Sequence, residues 1–96
     1  MSFFTFLRRK RKPETAEQRR ERLLQRGRIT DGVIIDSEIS VDGDEIVQYS
    51  YSVHGAEFES SEQLTDEQKL DPVKYAPGAS VSVRFDPNNH GNSIIV

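Results

Sequence analysis

The chain has 96 residues, of which 34% are hydrophobic and 30% charged, and it contains no cysteine. That length suits one small domain, and the missing cysteine excludes disulfides, thiolate metal sites and cysteine nucleophiles together. It also suits a reducing compartment such as the cytoplasm. No apolar run approaches the ~18–20 residues that cross a bilayer. The formal net charge of −3 conceals a division. Residues 1–28 hold ten Lys/Arg and three Asp/Glu, net +7, whereas residues 29–96 hold three and thirteen, net −10. A basic N-terminal arm is joined to an acidic body, and such asymmetry points to an anionic partner for the arm alone. An arm folded back onto its own body would satisfy the same charges without a partner.

The arm opens with Phe3, Phe4, Phe6 and Leu7, followed at once by Arg8, Arg9, Lys10, Arg11 and Lys12. A secretory signal has the opposite order, with cations first and a longer apolar stretch after. Ser2 stands where N-myristoylation requires glycine. Rings beside cations suit the interface of an anionic membrane, where the rings bury and the cations meet lipid headgroups. At ~1 kcal/mol per basic residue near such a surface, five cations supply ~5 kcal/mol, a weak and reversible tether.

Beyond Pro13, Thr15 and Gln18 have the spacing of a capping box, and the helix formers of Ala16–Arg26 predict a helix ending near Gly27. Its apolar stripe, Ala16, Leu23 and Leu24, is narrow, which predicts weak docking. From Ile29 the period becomes two. Ile29, Asp31, Val33, Ile35, Ser37 and Ile39 share one face of a long strand, with Gly32 as the expected bulge. Asp42-Gly43 predicts a hairpin turn. Val47, Tyr49, Tyr51 and Val53 alternate with polar residues in the clearest strand, His54-Gly55 turns the chain, and residues 56–60 form a third strand. Thr65 and Gln68 repeat the capping pattern over a short helical turn that Pro72 ends. Val81, Val83 and Phe85 mark a fourth strand, residues 86–91 read as a loop, and residues 92–96 as the last strand. The expected fold is mainly β: a small five-stranded β-barrel or curled antiparallel sheet over residues 29–96, preceded by an N-terminal α-helix.

The body resembles a bacterial family of small β-rich domains of unknown function, often found beside transmembrane helices. The resemblance rests on the strand opening Thr30-Asp31-Gly32-Val33-Ile34, on Val47-Gln48-Tyr49-Ser50-Tyr51, on Gly55-Ala56-Glu57-Phe58, and most specifically on the tail from Tyr75 through Pro77-Gly78 to Asp86-Pro87. It implies a small β-barrel and brings no known catalytic residues. In this sequence the short aromatic-basic arm stands where such relatives have a membrane helix.

No catalytic constellation appears. There is no Gly-x-Ser-x-Gly elbow and no glycine-rich phosphate loop. The two histidines, His54 and His90, fall in expected turns, so no metal site and no cofactor are expected. Asp42–Glu45 lacks the ligand spacing of a calcium loop. Tyr49 and Tyr51 share a face with Val47 and Val53 and read as core, and the acidic body repels nucleic acid. The sequence therefore predicts a non-enzymatic interaction or scaffold module. It is tethered at the inner face of a membrane through Phe3, Phe4, Phe6, Leu7 and Arg8–Lys12, and its β domain is free to bind a protein. The alternative is non-specific binding of nucleic-acid phosphate by the arm.

Overall fold

The computed structural model describes residues 13–96. Thr15 caps helix α1 (Ala16–Arg26) as its spacing predicts: the Gln18 amide donates to Thr15 Oγ1 at 3.1 Å, and the Thr15 amide to Gln18 Oε1 at 2.9 Å. Gly27 closes the helix, its amide donating to the Leu23 carbonyl. Then come β1 (Arg28–Ile39), β2 (Glu45–Val53), β3 (Ala56–Gln63), a single 3-10 turn (Gln68–Leu70), β4 (Ser80–Asp86) and β5 (Asn89–Ile95). All neighbours are antiparallel, in the order β3-β2-β1-β4-β5. The sheet curls until β3 and β5 approach each other, giving a nearly closed barrel-like sheet.

The turns follow their residues. His54 and Gly55 both take positive φ, 51° and 84°, as a two-residue hairpin of right-handed strands requires. Thr65 and Gln68 exchange reciprocal hydrogen bonds at the mouth of the 3-10 turn. At Asp86 the chain turns sooner than expected. Asp86 Oδ1 accepts from the Asn88 amide at 2.8 Å, and Asp86 already pairs with Asn89. The turn-forming residues Asn89, His90 and Gly91 are therefore the start of β5.

The inner face carries Val47, Tyr49, Tyr51 and Val53 of β2, Val81, Val83 and Phe85 of β4, and Ile95 of β5, with Leu64 and Tyr75 closing one end. Tyr51 stacks between Tyr49 and Phe58, with ring centroids 5.9 and 5.5 Å away. The face expected for β1 is inverted as far as the register shift: Ile34 is buried while Ile29, Val33 and Ile35 are exposed, whereas beyond the shift Ser37 lies opposite the inward Val47, on the expected face. Gly32 explains the inversion. A Cβ there would lie 2.7 Å from Val83 Cγ2 and 2.8 Å from the Ser50 carbonyl oxygen, so the inward position beside Tyr51 and Val83 admits only glycine. The register shift lies between Ile34 and Asp36, not at Gly32.

Helix α1 packs on the outside, against β4 and β5. Its one buried side chain, Leu23, is 1% exposed, and Ile94, on the opposite face of β5 from Ile95, is fully buried. Burying a leucine is worth ~1.5–3 kcal/mol, so this small outer core holds the helix modestly by itself.

Three substitutions test the packing by chemical denaturation. Tyr51→Ala should destabilise by ~3–5 kcal/mol, as for a deleted buried aromatic, and Gln48→Ala by no more than ~0.5 kcal/mol, as at a surface site. Gly32→Ala should cost ~1–3 kcal/mol through overpacking. A neutral Gly32→Ala would refute the close approach of β1, β2 and β4.

Candidate functional site

Five strands that curl without a final ladder leave two edges facing each other, and free edge carbonyls need donors. Side chains supply them along β5. Arg19 Nη1 donates to the Ser93 carbonyl at 2.8 Å and to Asn92 Oδ1 at 3.1 Å. Arg20 Nη1 and Gln68 Nε2 both donate to the Ile95 carbonyl at 3.1 Å. The Tyr51 hydroxyl donates to the His90 carbonyl at 2.5 Å. Arg19 also reaches across: its Nη2 meets both Glu62 carboxylate oxygens, on β3, at 2.9 and 3.1 Å. One guanidinium thus spans the seam from outside, while inside the barrel the Tyr49 hydroxyl meets Ser93 Oγ at 2.7 Å. Further along the helix, Arg22 sits between Glu14 and Asp86, 2.8 and 3.1 Å away. The weak docking that the apolar stripe predicts is supplemented by these arginines.

Electrostatics follow the geometry. Burial pushes the Tyr49 hydroxyl up to about 12 from 10.0, against the lowering effect of its Ser93 hydrogen bond. Glu14 is held below its usual value by the Arg22 hydrogen bond. Asp86 is held low first by the Asn88 amide and then by Arg22. A depressed carboxyl stabilises the fold above its unfolded value and loses that contribution as pH falls through the folded one. A raised tyrosine does the reverse.

The candidate residues Phe3, Phe4, Phe6, Leu7, Arg8, Arg9, Lys10, Arg11 and Lys12 lie outside the described residues. Of the others considered, Tyr49, Tyr51 and Tyr75 are interior and cannot offer a face to a base. His54 and His90, 36 positions apart in sequence, do come together, with ring centroids 5.9 Å apart; His90 lies edge-on to Phe85 and Phe58. Among the described residues, no three His, Asp or Glu side chains gather as a metal site would need. Asp42 and Gly43 form the exposed tip of the β1–β2 hairpin. Glu57 and Glu59 face outward on β3, with Ser52 donating to Glu57.

Two surfaces stand out that alternation alone had assigned to the interior or left unremarked. The first is the outer face of β1. Val33 lies there between Ser50 and Ser80, and Ile29 beside Arg84, both apolar side chains among polar neighbours. The apolar run Val33-Ile34-Ile35 is the signal for it, since a strand with one solvated face does not need three in succession. The second is a trough beside α1. It holds two joined clefts of about 300 and 480 Å³ that share Arg20 and Thr65.

Tyr49 provides a test of the seam's interior. The unfolded chain ionises this group at about pH 10 and the folded chain at about 12, so its contribution is complete below pH 10 and disappears as pH rises towards 12. Thermal melts should show stability falling across that interval, and Tyr49→Phe should flatten the fall. An unchanged alkaline profile in Tyr49→Phe would show that another group governs it.

No curated protein and no solved structure matches the chain. The family model of DUF3592, a domain of unknown function, matches residues 25–96. That match begins in the last turn of α1 and takes in all five strands, Gly32 at the tight crossing and the tail from Tyr75 to Pro87. The chain belongs to the DUF3592 family.

Proposed function

We propose that the chain is a non-enzymatic interaction module, held peripherally at the cytoplasmic face of an anionic membrane by residues 3–12. The observation that carries this reading is the composition of that segment: Phe3, Phe4, Phe6 and Leu7 run directly into five consecutive cations, Arg8–Lys12. Rings and cations in that order supply both signals that stable but reversible surface binding needs. Helix α1 supports the reading from the other side. Its arginines engage Glu62, Asp86 and the β5 carbonyls, so the helix that follows the tether is fixed to the barrel. The outer apolar face of β1, with Ile29 63% exposed, is the surface offered to a protein partner.

Sedimentation with vesicles tests the tether. The full chain should bind vesicles containing phosphatidylserine and not neutral ones. Substituting Phe3, Phe4 and Phe6 together by Ser should weaken binding without moving the melting temperature of the barrel. At 1 M salt the Debye length is ~3 Å, so charge contacts fade and the ring contribution should remain. Binding to duplex DNA that exceeds vesicle binding and falls steeply with salt would favour the five cations as a nucleic-acid contact instead.

A further inference from the structure

The trough beside α1 has one end at the helix start. The smaller cleft is lined by Ala16, Glu17, Glu62 and Leu64, and the larger by Leu24, Glu67, Tyr75 and Val96. Its floor is apolar. Leu64 and Tyr75 are buried beneath it, and Leu24, the one large apolar side chain that α1 leaves half-exposed, forms its wall. Glu17 and Glu67 stand on its rims, and neither has an ion-pair partner among the described residues. The two cations that line it are engaged: Arg20 donates to the Ile95 carbonyl, and Lys74 lies over the Tyr75 ring at 5.4 Å. Volumes of this size are those of ordinary ligand clefts, ~300–1,000 Å³.

We infer that this trough is the resting site of the chain's own residues 3–12, which release their rings from it when an anionic membrane competes for them. An apolar floor with acidic rims is the complement of rings followed by cations. The point of attachment agrees. Ala16 lines the trough, and Pro13, three residues before it, is where the described chain begins. The ten residues of 3–12 reach up to ~33 Å when extended, whereas Ala16 to Leu24 is a rise of only ~12 Å along the helix. Short connections give effective concentrations in the millimolar range, so a contact with an affinity of only ~0.1 mM between separate molecules is about nine-tenths closed within one. This inference rests on the tether proposed for the same residues and adds its regulation. Rings held in the trough are withheld from lipid, and apparent membrane affinity falls in proportion to the open fraction.

The experiment is a pair of measurements on the full chain. In amide spectra, substituting Phe3, Phe4 and Phe6 by Ser should shift Leu24, Thr65 and Tyr75, and phosphatidylserine vesicles added to the native chain should shift the same amides in the same direction. In the vesicle assay, Leu24→Asp with Glu67→Lys should tighten binding about tenfold, with the barrel's melt as the control for folding. Unmoved trough amides in the triple variant overturn the inference while vesicle binding still stands or falls separately. Shifted trough amides in a chain that ignores vesicles overturn the tether and keep the trough contact. Trough shifts that depend on protein concentration from about 10 to 500 µM overturn the inference too, since they assign the contact to a second copy.

Discussion

The edge of β5 is the constraint on which the rest of the molecule depends. A five-stranded sheet this short curls almost to closure but does not complete the ladder between β3 and β5. The backbone carbonyls left there are satisfied from the side, by Arg19 and Arg20 of α1, by Gln68 of the 3-10 turn and by Tyr51 of β2. The four donors come from three different parts of the chain. The helix, the irregular segment after β3 and the aromatic strand are thereby fixed to one line, and an exposed edge that would otherwise template association is blunted. The arrangement also explains why a helix with a single buried leucine has a defined place. Directional bonds to carbonyls and to Glu62 set its position where apolar burial alone is too small to do so.

The legible parts of the sequence were those where local chemistry and tertiary demand coincide. Thr15 and Gln18 cap a helix whatever surrounds them, and β2 alternates between Tyr or Val and polar residues because one of its faces is core and the other water. His54-Gly55 turns because both residues tolerate the left-handed region. β1 departs from its alternation for a physical reason. Its inward position at the tightest crossing is a glycine, which a pattern of apolar residues cannot register, and its outward positions are the apolar ones. β5 begins earlier than its residue types suggest because Asn89, His90 and Gly91 are turn formers used as strand. The docking of the α1 arginines was not legible because helical periodicity carries no information about carbonyls 74 and 75 residues away. As for the candidate site, the aromatic-basic segment is read from sequence alone, while the trough and the outer face of β1 exist only once the strands are assembled.

The charge division takes on a different meaning with the fold. A net +7 over residues 1–28 points either to an anionic partner or to an arm folded back onto the acidic body. Three of those cations, Arg19, Arg20 and Arg22, belong to the barrel's own architecture, meeting Glu62, the Ile95 carbonyl and Asp86. Part of the positive charge of residues 1–28 is therefore engaged by the barrel itself. The DUF3592 match begins at residue 25, within α1, which places the seam-spanning arginines just outside the part of the chain that the family model describes.

Arg19 joins the two ends of the sheet, and it is the fifth residue after Glu14 on the side of the chain that leads to the N-terminus. Tension applied through that end is therefore carried first by α1 rather than by any strand. Peeling the helix from its start breaks the Glu14 contact with Arg22 and then lifts Arg19 from Ser93 and Glu62, so the load unfastens β3 from β5 while every ladder of the sheet is still intact. Mechanically the helix is a latch in series with the N-terminal end of the chain, and a pull from that end opens the seam before it unravels the strands.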